Sequence, residues 1–524
     1  MSILLPDLFL ICEKYYTLPI KMTYDDKLSV KIALSMVNRD MSCYDTPEHF
    51  NEVKLAYQYC NSIFSNFNNS IDFIFCILSF TLSLTLIVRV NFVLAIIAIL
   101  SILPSFVVRK KIKMRNYNID KQMTKDKRYI DYLTSMLLNK LTIKEIQIYN
   151  YQDYIKSKIE ESQEKCRNKK IKNSLFNARC EFALTVYEKI ISFSTQVLLV
   201  FSIVSKKLTI GDYSYIGGLI SNLKNSFNRV VSLITEINIT DQKYKDYINI
   251  VENKEPLVKS GDIPVPKGLS DFSIMFNHVS FKYPNAENYI LKDINFEYRF
   301  NSKFALVGQN GSGKTTLIKL LLRFYDPTEG EILLNGINIK RYDLVQYRRI
   351  FSAMFHEILI YHLTIAENIT ISDIHNYNQE KIFKVLDSLH LTPDLEIDLN
   401  REYGREFSEN GYVFSAGQQQ RLYAARTLYK DSDVYVLDEP AASMDAISES
   451  KFFHALNSFT VGKGLIYITH RYGILDKMDK ILVLDKGILI ESGTHEELIR
   501  QKGLYYKMFE LQQKEFTKNL EGRI

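Results

Sequence analysis

The feature that most constrains the fold of this chain is the glycine-rich loop at residues 308–315, Gly-Gln-Asn-Gly-Ser-Gly-Lys-Thr. It fits the pattern G-x-x-x-x-G-K-[ST], which holds phosphate groups between a strand and a helix. Residues 304–307 predict a short buried strand, and residues 316–324 carry apolar side chains at helical spacing. Glycines allow the backbone to approach an anion, and N–H groups at the helix start bind its oxygens. We therefore predict a phosphate site here, because a chance glycine-rich turn lacks this context.

Two loop residues and a second strand supply the expected chemistry. Lys314 is expected to reach the β- and γ-phosphates, and Thr315 to hold Mg²⁺. The apolar residues 434–437 end in Asp438 and Glu439, and carboxylates at the end of a sheet strand lie beside such a loop. Asp438 is expected to hold Mg²⁺ through its water shell, and Glu439 to act as general base on the attacking water. A solvated acidic strand end is the alternative when these residues are taken alone.

A second small-residue loop lies at residues 414–418, Phe-Ser-Ala-Gly-Gln, and opens a predicted helix at 419–429. Its N–H groups and the Ser415 hydroxyl suit another anion. One nucleotide does not need two such loops, so we expect this loop to serve a nucleotide bound by another subunit. An ordinary helix N-cap is the alternative explanation.

Membrane insertion is predicted by the apolar runs at 71–88 and 92–108, separated by Arg89 and Asn91. Each run is near the short end of the range of about 17–25 residues that a spanning helix needs, and together the two runs predict a membrane hairpin. A pair of buried soluble helices is the alternative. The basic cluster at 109–115 places that end of the hairpin in the cytoplasm.

Two further spans are predicted at 182–204 and 213–237, although both contain charged residues. Glu188 and Lys189 lie in the first and Lys224 in the second, and such residues must face a cavity or a partner helix. They favour a polar or charged cargo if they line the cavity. For 213–237, an amphipathic soluble helix is the alternative.

The fold class predicted for the chain is an α-helical transmembrane domain followed by an α/β P-loop ATPase domain. The transmembrane domain covers residues 1–250, with long cytoplasmic helices between its spans. The proline-containing segment 251–268 is a linker, and residues 269–524 form the nucleotide-binding domain. The net charge of +6 gives no argument for nucleic acid as a partner. The six cysteines are scattered, which predicts neither a zinc site nor a disulfide framework.

The C-terminal half resembles the nucleotide-binding domain of ABC transporters. Residues 308–315 match the Walker A motif, and Val-Tyr-Val-Leu-Asp-Glu at 434–439 matches Walker B. Residues 414–418 resemble the signature LSGGQ, with Phe in place of Leu and Ala in place of Gly. These elements occur in the order that the family shows.

The resemblance implies roles for individual residues. Tyr283 stacks on adenine, His470 contacts the γ-phosphate, and Ser443 and Asp445 belong to the D-loop. ATP and Mg²⁺ are the implied cofactors, with Thr315 and Asp438 as metal ligands and Lys314, Glu439 and His470 as catalytic residues. The implied nucleotide-binding residues are Tyr283, Gly308, Gln309, Asn310, Gly311, Ser312, Gly313, Lys314, Thr315, Thr316 and His356. The signature residues implied to face the partner's ATP are Phe414, Ser415, Ala416, Gly417 and Gln418.

Position 356 departs from the family pattern, which places a glutamine after Phe355. The sequence Leu-Thr-Ile-Ala-Glu-Asn-Ile at 363–369 fixes the register. The resemblance implies that the side-chain oxygen of this glutamine contacts Mg²⁺ and couples the site to the membrane helices. Magnesium prefers oxygen ligands, so the His356 imidazole is a poor replacement. Either His356 acts through water, or the coupling to the membrane helices is weakened. The third alternative is that the replacement is tolerated because Thr315, Asp438 and the phosphates carry the metal.

The N-terminal half resembles the exporter-type (type IV) ABC membrane domain. Residues 45–50 resemble a first intracellular loop with its coupling helix, and residues 142–147 resemble a second. Such a half-transporter carries six spanning helices, whereas four are predicted here. The chain is therefore expected to be N-terminally short. Either a separate chain supplies two helices, or the start lies upstream, or they are lost.

The expected function is ATP-driven export across the cytoplasmic membrane by a dimer of half-transporters, either a homodimer or a heterodimer. Membrane lipid and the transported substrate are the other expected partners, and the cargo is a peptide such as a lantibiotic, or a drug or lipid. The protein is expected to be a multi-pass membrane ATPase with its ATP-binding domain in the cytoplasm. The alternative is a regulatory or vestigial subunit, which the short N-terminus and His356 favour. The intact Glu439 and His470 oppose that alternative.

Overall fold

The computed structural model divides the chain into two compact units, Met1–Arg39 with Thr46–Lys254 and Asp40–Asp45 with Glu255–Ile524. The residues that it describes are 4–37, 39–45, 53, 56–57, 65–205, 209–252, 258–266, 268, 272–284, 286–371, 373–374, 376–391, 397–441, 444 and 446–521.

The first unit is helical. The described helices before residue 255 are α1 (Leu4–Val37), α2 (Met41–Tyr44), α3 (Ser65–Val90), α4 (Phe92–Gln122), α5 (Thr124–Leu138), α6 (Lys140–Ile148), α7 (Gln152–Val204) and α8 (Ile210–Val251). Of these, α2 belongs to the second unit. Asn91 separates α3 from α4 and caps α4, because its side chain accepts a hydrogen bond from the N–H of Val93.

Three of the described helices are long and apolar enough to cross a membrane, namely Asn69–Val90, Phe92–Gln122 and Gln152–Val204. They contain the predicted spans 71–88, 92–108 and 182–204. The predicted span 213–237 lies inside α8, which does not meet the same criterion of length and composition. Lys224, Arg229 and Glu236 are among the residues that lower its apolar character. This fourth span therefore stays a prediction.

Helices of the first unit carry apolar side chains on exposed faces as well as on the faces that pack against one another. On α3, exposed apolar residues recur at helical spacing and form a stripe of Ile74, Phe75, Leu78 and Leu82. The inward faces of α3, α4, α7 and α8 share one apolar core, made of Ile87, Leu94, Ala95, Ala98, Ile102, Leu199, Ile216, Leu219 and Leu223. An apolar outer stripe over an apolar core is the pattern of a helix bundle in lipid, where both surfaces must be apolar.

The second unit is an α/β domain with two sheets. Its strands are β1 (Ser273–Phe281), β2 (Leu291–Arg299), β3 (Lys303–Gly308), β4 (Glu329–Leu334), β5 (Ile337–Asn338), β6 (Phe351–Met354), β7 (Val434–Asp438), β8 (Gly464–Ile468), β9 (Lys480–Asp485) and β10 (Ile488–Gly493). The smaller sheet is antiparallel in the order β2-β1-β4-β5. The larger sheet has the order β10-β9-β3-β8-β7-β6 and is parallel except for β10.

The described α-helices of the second unit that follow β3 belong to the same domain. They are α9 (Lys314–Leu321), α10 (Leu344–Arg349), α11 (Ile365–Ile369), α12 (Gln379–Ser388), α13 (Ala416–Tyr429), α14 (Ala446–Phe459), α15 (His495–Gln501) and α16 (Leu504–Glu521). Every residue of β7 and β8 is buried, as expected for parallel strands covered on both faces.

The sheet order decides where the functional residues meet. The strands β3, β8, β7 and β6 are consecutive neighbours in the sheet, and all four run in the same direction. Gly308 ends β3, Asp438 ends β7, His470 lies two residues beyond β8, and His356 lies two residues beyond β6. One edge of the sheet therefore gathers four chain segments that are far apart in sequence, and open α/β sheets bind ligands at this edge.

Candidate functional site

The phosphate-binding loop connects β3 directly to α9. Gly313 is the N-cap of α9 and has a left-handed φ of 103°. A Cβ atom at this position would lie 2.7 Å from Leu291 Cδ2. The backbone angle favours glycine here, and any larger residue would also force the end of the Leu291 side chain to shift. The loop therefore turns tightly into the start of α9, where free backbone N–H groups can bind an anion.

The Lys314 ammonium group lies inside this loop. It donates hydrogen bonds to the carbonyl oxygens of Gly308 at 2.9 Å and of Gln309 at 3.0 Å. The side chain is buried, and burial lowers the pKa of Lys314, while the carboxylates of Glu439 and Asp438 oppose that effect. The loop thus holds a positive charge at its centre, where it faces two negative charges.

Thr315 and Asp438 are in contact although they lie on different strand–helix units. The Thr315 hydroxyl donates to Asp438 Oδ2 at 3.1 Å. Asp438 is 4% exposed. Burial raises the pKa of Asp438, the hydrogen bond from Thr315 lowers it, and the neighbouring Glu439 raises it further. The predicted pair of metal ligands is therefore brought together, and both partners present oxygen atoms.

Glu439 begins the turn after β7 in a strained conformation. Its φ is 50°, which is uncommon for a residue with a side chain and is characteristic of functional sites. Its backbone N–H donates to the carbonyl oxygen of Ile468 at 3.0 Å, which ties the turn to the end of β8. This backbone arrangement aims the carboxylate along the site edge of the sheet rather than into the core.

Two imidazole rings flank the Glu439 carboxylate. His470 Nε2 lies 3.0 Å from Oε1, and His356 Nε2 lies 3.8 Å from Oε2. Burial lowers the pKa of His470, the charge of Lys314 lowers it further, and Glu439 raises it. The backbone at His470 is anchored by Gln512, whose Nε2 donates a hydrogen bond to the His470 carbonyl oxygen at 3.0 Å. His356, at the position where the family has glutamine, thus faces the predicted general base directly.

Tyr283 lies beside α9 in an aromatic cluster. Its hydroxyl is 3.1 Å from Thr316 Oγ1, and the Lys319 ammonium lies 5.5 Å from the centre of its ring. The ring meets that of Tyr325 edge to face at 5.3 Å between centroids. Tyr283 therefore has a fixed orientation next to the phosphate-binding loop, as a base-stacking residue needs.

The signature loop caps its own helix. The Ser415 hydroxyl accepts a hydrogen bond from the N–H of Gln418 at 3.3 Å, and Gln418 Oε1 accepts one from the N–H of Ser415 at 2.9 Å. This reciprocal pair is a capping box, and it leaves the other N–H groups of the first turn available. Among the described contacts, no hydrogen bond joins residues 414–418 to residues 308–316. Within one chain, then, the two loops are separate features.

Two groups of predicted residues lie outside the part of the chain that the structure describes. They are Ser443 and Asp445 of the predicted D-loop, and residues 46–50 of the predicted first coupling segment. The second predicted coupling segment, 142–147, lies within α6.

Sequence reasoning missed two anchoring interactions around the site. Arg471 donates to the carbonyl oxygen of Met444 at 3.0 Å and to Glu449 Oε2 at 2.6 Å, so it ties the turn after β8 to α14. The Tyr325 hydroxyl donates to Asp45 Oδ2 at 2.9 Å. Burial and the Asp45 carboxylate raise the pKa of Tyr325, which therefore stays a hydrogen-bond donor. For the first interaction, the sequence offered one signal, which is the arginine directly after His470. For the second, no sequence pattern links Tyr325 with Asp45.

Comparison with known proteins agrees with the resemblance of the second unit to ABC transporters. The family model described as ABC transporter matches residues 291–442. The chain is 28% identical over 516 residues to the subtilin transport ATP-binding protein SpaT of Bacillus subtilis, a match that covers 95% of this chain and 81% of SpaT. It is 27% identical to the nisin transport ATP-binding protein NisT of Lactococcus lactis, over 96% of this chain and 84% of NisT.

The fold is shared with a solved structure of a bacterial Atm1-family ABC exporter with ATP bound. The TM-score is 0.84 at 20% sequence identity, and the match covers 96% of this chain and 88% of the other. A shorter match, 36% identical over 259 residues, links 49% of the chain to 44% of the ATP-dependent lipid A-core flippase of Idiomarina loihiensis. The predictions of an α-helical membrane region, an α/β ATPase domain and a cytoplasmic position for that domain are confirmed.

Proposed function

Because this chain belongs to the exporter-type ABC transporters and is an ATP-binding membrane ATPase, we propose that residues 308–316 and 438–439 form its hydrolytic site. The observation that carries this proposal is the convergence of Lys314, Thr315, Asp438, Glu439 and His470 at one edge of the larger sheet. Side chains from three separate strand ends would otherwise have no reason to meet around a pair of carboxylates.

Lys314 would bind the phosphates of ATP. In this structure its ammonium donates to two loop carbonyl oxygens, and phosphate oxygens are stronger acceptors because they are charged. Glycines on either side let the loop N–H groups bind the same phosphates. Tyr283 would stack on the adenine, which accounts for its fixed ring beside α9.

Magnesium suits the pair formed by Thr315 and Asp438. The hydroxyl and carboxylate oxygens, already 3.1 Å apart, are the hard ligands that this ion prefers. When bound, Mg²⁺ would neutralise charge on the β- and γ-phosphate oxygens.

Glu439 would act as general base on the attacking water. Its backbone hydrogen bond to Ile468 and its contact with His470 hold the carboxylate in place. His470 would also contact the γ-phosphate. Orientation of the water and neutralisation of the γ-phosphate charge are the main contributions that a protein can make to this reaction.

The signature loop 414–418 would complete the site of a second copy or of a related half-transporter. The start of α13 carries N–H groups directed out of the domain, and residues 415 and 416 are exposed. Pairing head to tail would place this helix start on the γ-phosphate held by the partner. ATP binding would close the pair, and hydrolysis would reopen it and drive alternating access.

The cargo we propose is a peptide. Two relatives that match nearly the whole chain are transport proteins for subtilin and nisin by name. His356 favours a second candidate, a regulatory or vestigial subunit, because its imidazole stands 3.8 Å from Glu439 where the family has glutamine.

ATP hydrolysis by the full chain reconstituted in lipid nanodiscs tests the proposal. We expect turnover that Lys314→Met abolishes, whereas Lys340→Met, which removes an exposed lysine of the same unit, leaves it unchanged. We also expect His356→Gln to raise turnover. ATP binding without any hydrolysis in either the unmodified chain or His356→Gln would favour the regulatory candidate and refute the proposed site chemistry.

A further inference from the structure

Two of the candidate spanning helices and α8, which contains the predicted fourth span, meet at a cluster of polar side chains. We name this cluster the inner charge site, and it is formed by Ser105, Glu188 and Lys224. The Ser105 hydroxyl donates to Glu188 Oε1 at 2.7 Å. Lys224 Nζ lies 2.7 Å from Glu188 Oε2. These residues come from α4, α7 and α8, and Ser105 is 1% exposed. The site therefore joins helices that the apolar core already holds together.

The three helices place the inner charge site at one depth. A helix rises about 1.5 Å per residue, so Ser105 lies about 20 Å from the start of α4, Glu188 about 24 Å from the end of α7, and Lys224 about 21 Å from the start of α8. Those helix ends lie opposite the basic cytoplasmic cluster after residue 108. In a hydrocarbon core of about 30 Å, the site falls in the cytoplasmic third.

The two charged partners are not equally engaged. Both oxygens of Glu188 are occupied, one by Ser105 and one by Lys224, and its side chain is 12% exposed. Lys224 is 32% exposed, and an ammonium group has three donors, of which the bond to Glu188 uses one. The positive end of the pair is therefore the end that is open to a further ligand.

Stability alone is a weak reason for such a pair. Charges within a membrane span are costly and mark functional positions, and replacing a buried ion pair by apolar residues is often neutral or stabilising. The cytoplasmic third of the span is also where cargo that enters from the cytoplasm first meets the membrane domain. Both arguments favour a role in ligand binding.

We propose that Lys224 binds a carboxylate of the exported peptide, and that Glu188 competes with this carboxylate for the same ammonium group. This inference rests on the proposed export function and specifies the chemistry of its cargo. Lipid phosphates offer similar oxygens, but they lie at the headgroup level, outside the hydrocarbon depth of the site. Peptide carboxylate is therefore the ligand that the depth favours.

If Glu188 competes with the peptide carboxylate, substitutions at Glu188 and at Lys224 should change peptide affinity in opposite directions. The probe is an N-dansyl peptide of alanine and leucine whose only charge is its C-terminal carboxylate, and the full chain is held in phosphatidylcholine nanodiscs. We expect Lys224→Gln to weaken binding about tenfold and Lys224→Arg to retain it, since a hydrogen bond between charged groups is lost in the first variant only. Glu188→Gln is expected to tighten binding about fivefold, because the competing carboxylate is removed.

Two controls sharpen the test. The C-terminal amide of the same peptide should bind the unmodified chain as weakly as the carboxylate peptide binds Lys224→Gln. Lys172→Gln removes an exposed lysine of α7 that lies outside the predicted span 182–204, and it should leave binding unchanged. Empty nanodiscs give the partition of each peptide into lipid, which is subtracted.

The outcomes separate this inference from the proposed function, because peptide binding does not need turnover. If Glu188→Gln and Lys224→Gln weaken binding equally, the pair is structural and the inference is refuted. Equal binding of carboxylate and amide peptides also refutes it. If phosphatidylglycerol instead stimulates hydrolysis in a manner that depends on Lys224, the site takes lipid phosphate. Carboxylate binding that depends on Lys224, without any ATP hydrolysis, would support the site and refute the proposed export.

Discussion

Replacing Glu439 by glutamine removes the proposed general base and changes little else. The side chains have the same size, and the backbone hydrogen bond from residue 439 to Ile468 does not depend on the side chain. The φ of 50° is kept, so the strain at this position is the same in both proteins. The loss is that of a basic oxygen 3.0 Å from His470 Nε2.

The expected effect on hydrolysis is large. General-base catalysis contributes about 10²- to 10⁴-fold, so turnover should fall by that factor, which corresponds to a rise of about 3–5 kcal/mol in activation free energy. ATP affinity should be kept or increased, because a negative charge near the phosphates is lost. Steady-state hydrolysis and titration with a fluorescent ATP analogue, both on nanodisc-reconstituted protein, measure the two effects separately.

The control is Glu297→Gln, which removes an exposed carboxylate from β2 in the same unit. Its turnover should equal that of the unmodified chain. Turnover of Glu439→Gln within about threefold of the unmodified chain would refute the role of Glu439, since that loss is smaller than a general base provides. A parallel loss of ATP binding would instead indicate that the substitution disturbs the site as a whole.

Three further predictions concern residues around the site. Tyr283→Leu should weaken ATP binding about five- to tenfold while Tyr283→Phe retains it, as measured by titration, because stacking needs the ring; equal affinity in all three proteins would contradict this. Gly313→Ala should lower the unfolding temperature more than Gly336→Ala. Both glycines have a positive φ, but of the two only position 313 would bring a Cβ within 4 Å of another atom. Equal shifts in unfolding temperature would show that this steric contact has no effect. Tyr325→Phe should lower the unfolding temperature by about 2–6 °C, because the carboxylate of Asp45 loses its donor. Tyr289→Phe, which loses a surface bond to Glu329, should have a smaller effect.

Local motifs made much of the proposed hydrolytic site predictable. The loop at 308–315 needs only consecutive residues and a helix after it, and the capping box of Ser415 and Gln418 is likewise contained in four positions. The meeting of Thr315 with Asp438 followed from strand order in α/β sheets, since Asp438 ends β7 and the loop that carries Thr315 into α9 follows the carboxyl end of β3. These features rest on short-range sequence patterns and on a general rule of topology.

Contacts between distant segments could not be predicted. The sequence identified Glu188 and Lys224 as charges within predicted spans, but it could not show that they bind each other, because helix rotation and packing decide which faces meet. Tyr325 and Asp45 are 280 residues apart, and no periodic pattern links them. The proximity of His356 to Glu439 required the order of β6 and β7 in the sheet, although the unusual residue itself was visible in the sequence.

A disulfide trap would decide whether two chains share each nucleotide. The native cysteines all lie before residue 181, and they would be replaced by serine. Gln309→Cys in one chain and Ser415→Cys in a differently tagged second chain would then be mixed, both in the Glu439→Gln background that retains ATP. We predict a cross-link between the two tagged chains that forms with ATP and not without it. Cross-linking that ignores ATP, or its absence when ATP is bound, would contradict the head-to-tail site on which the proposed transport cycle depends.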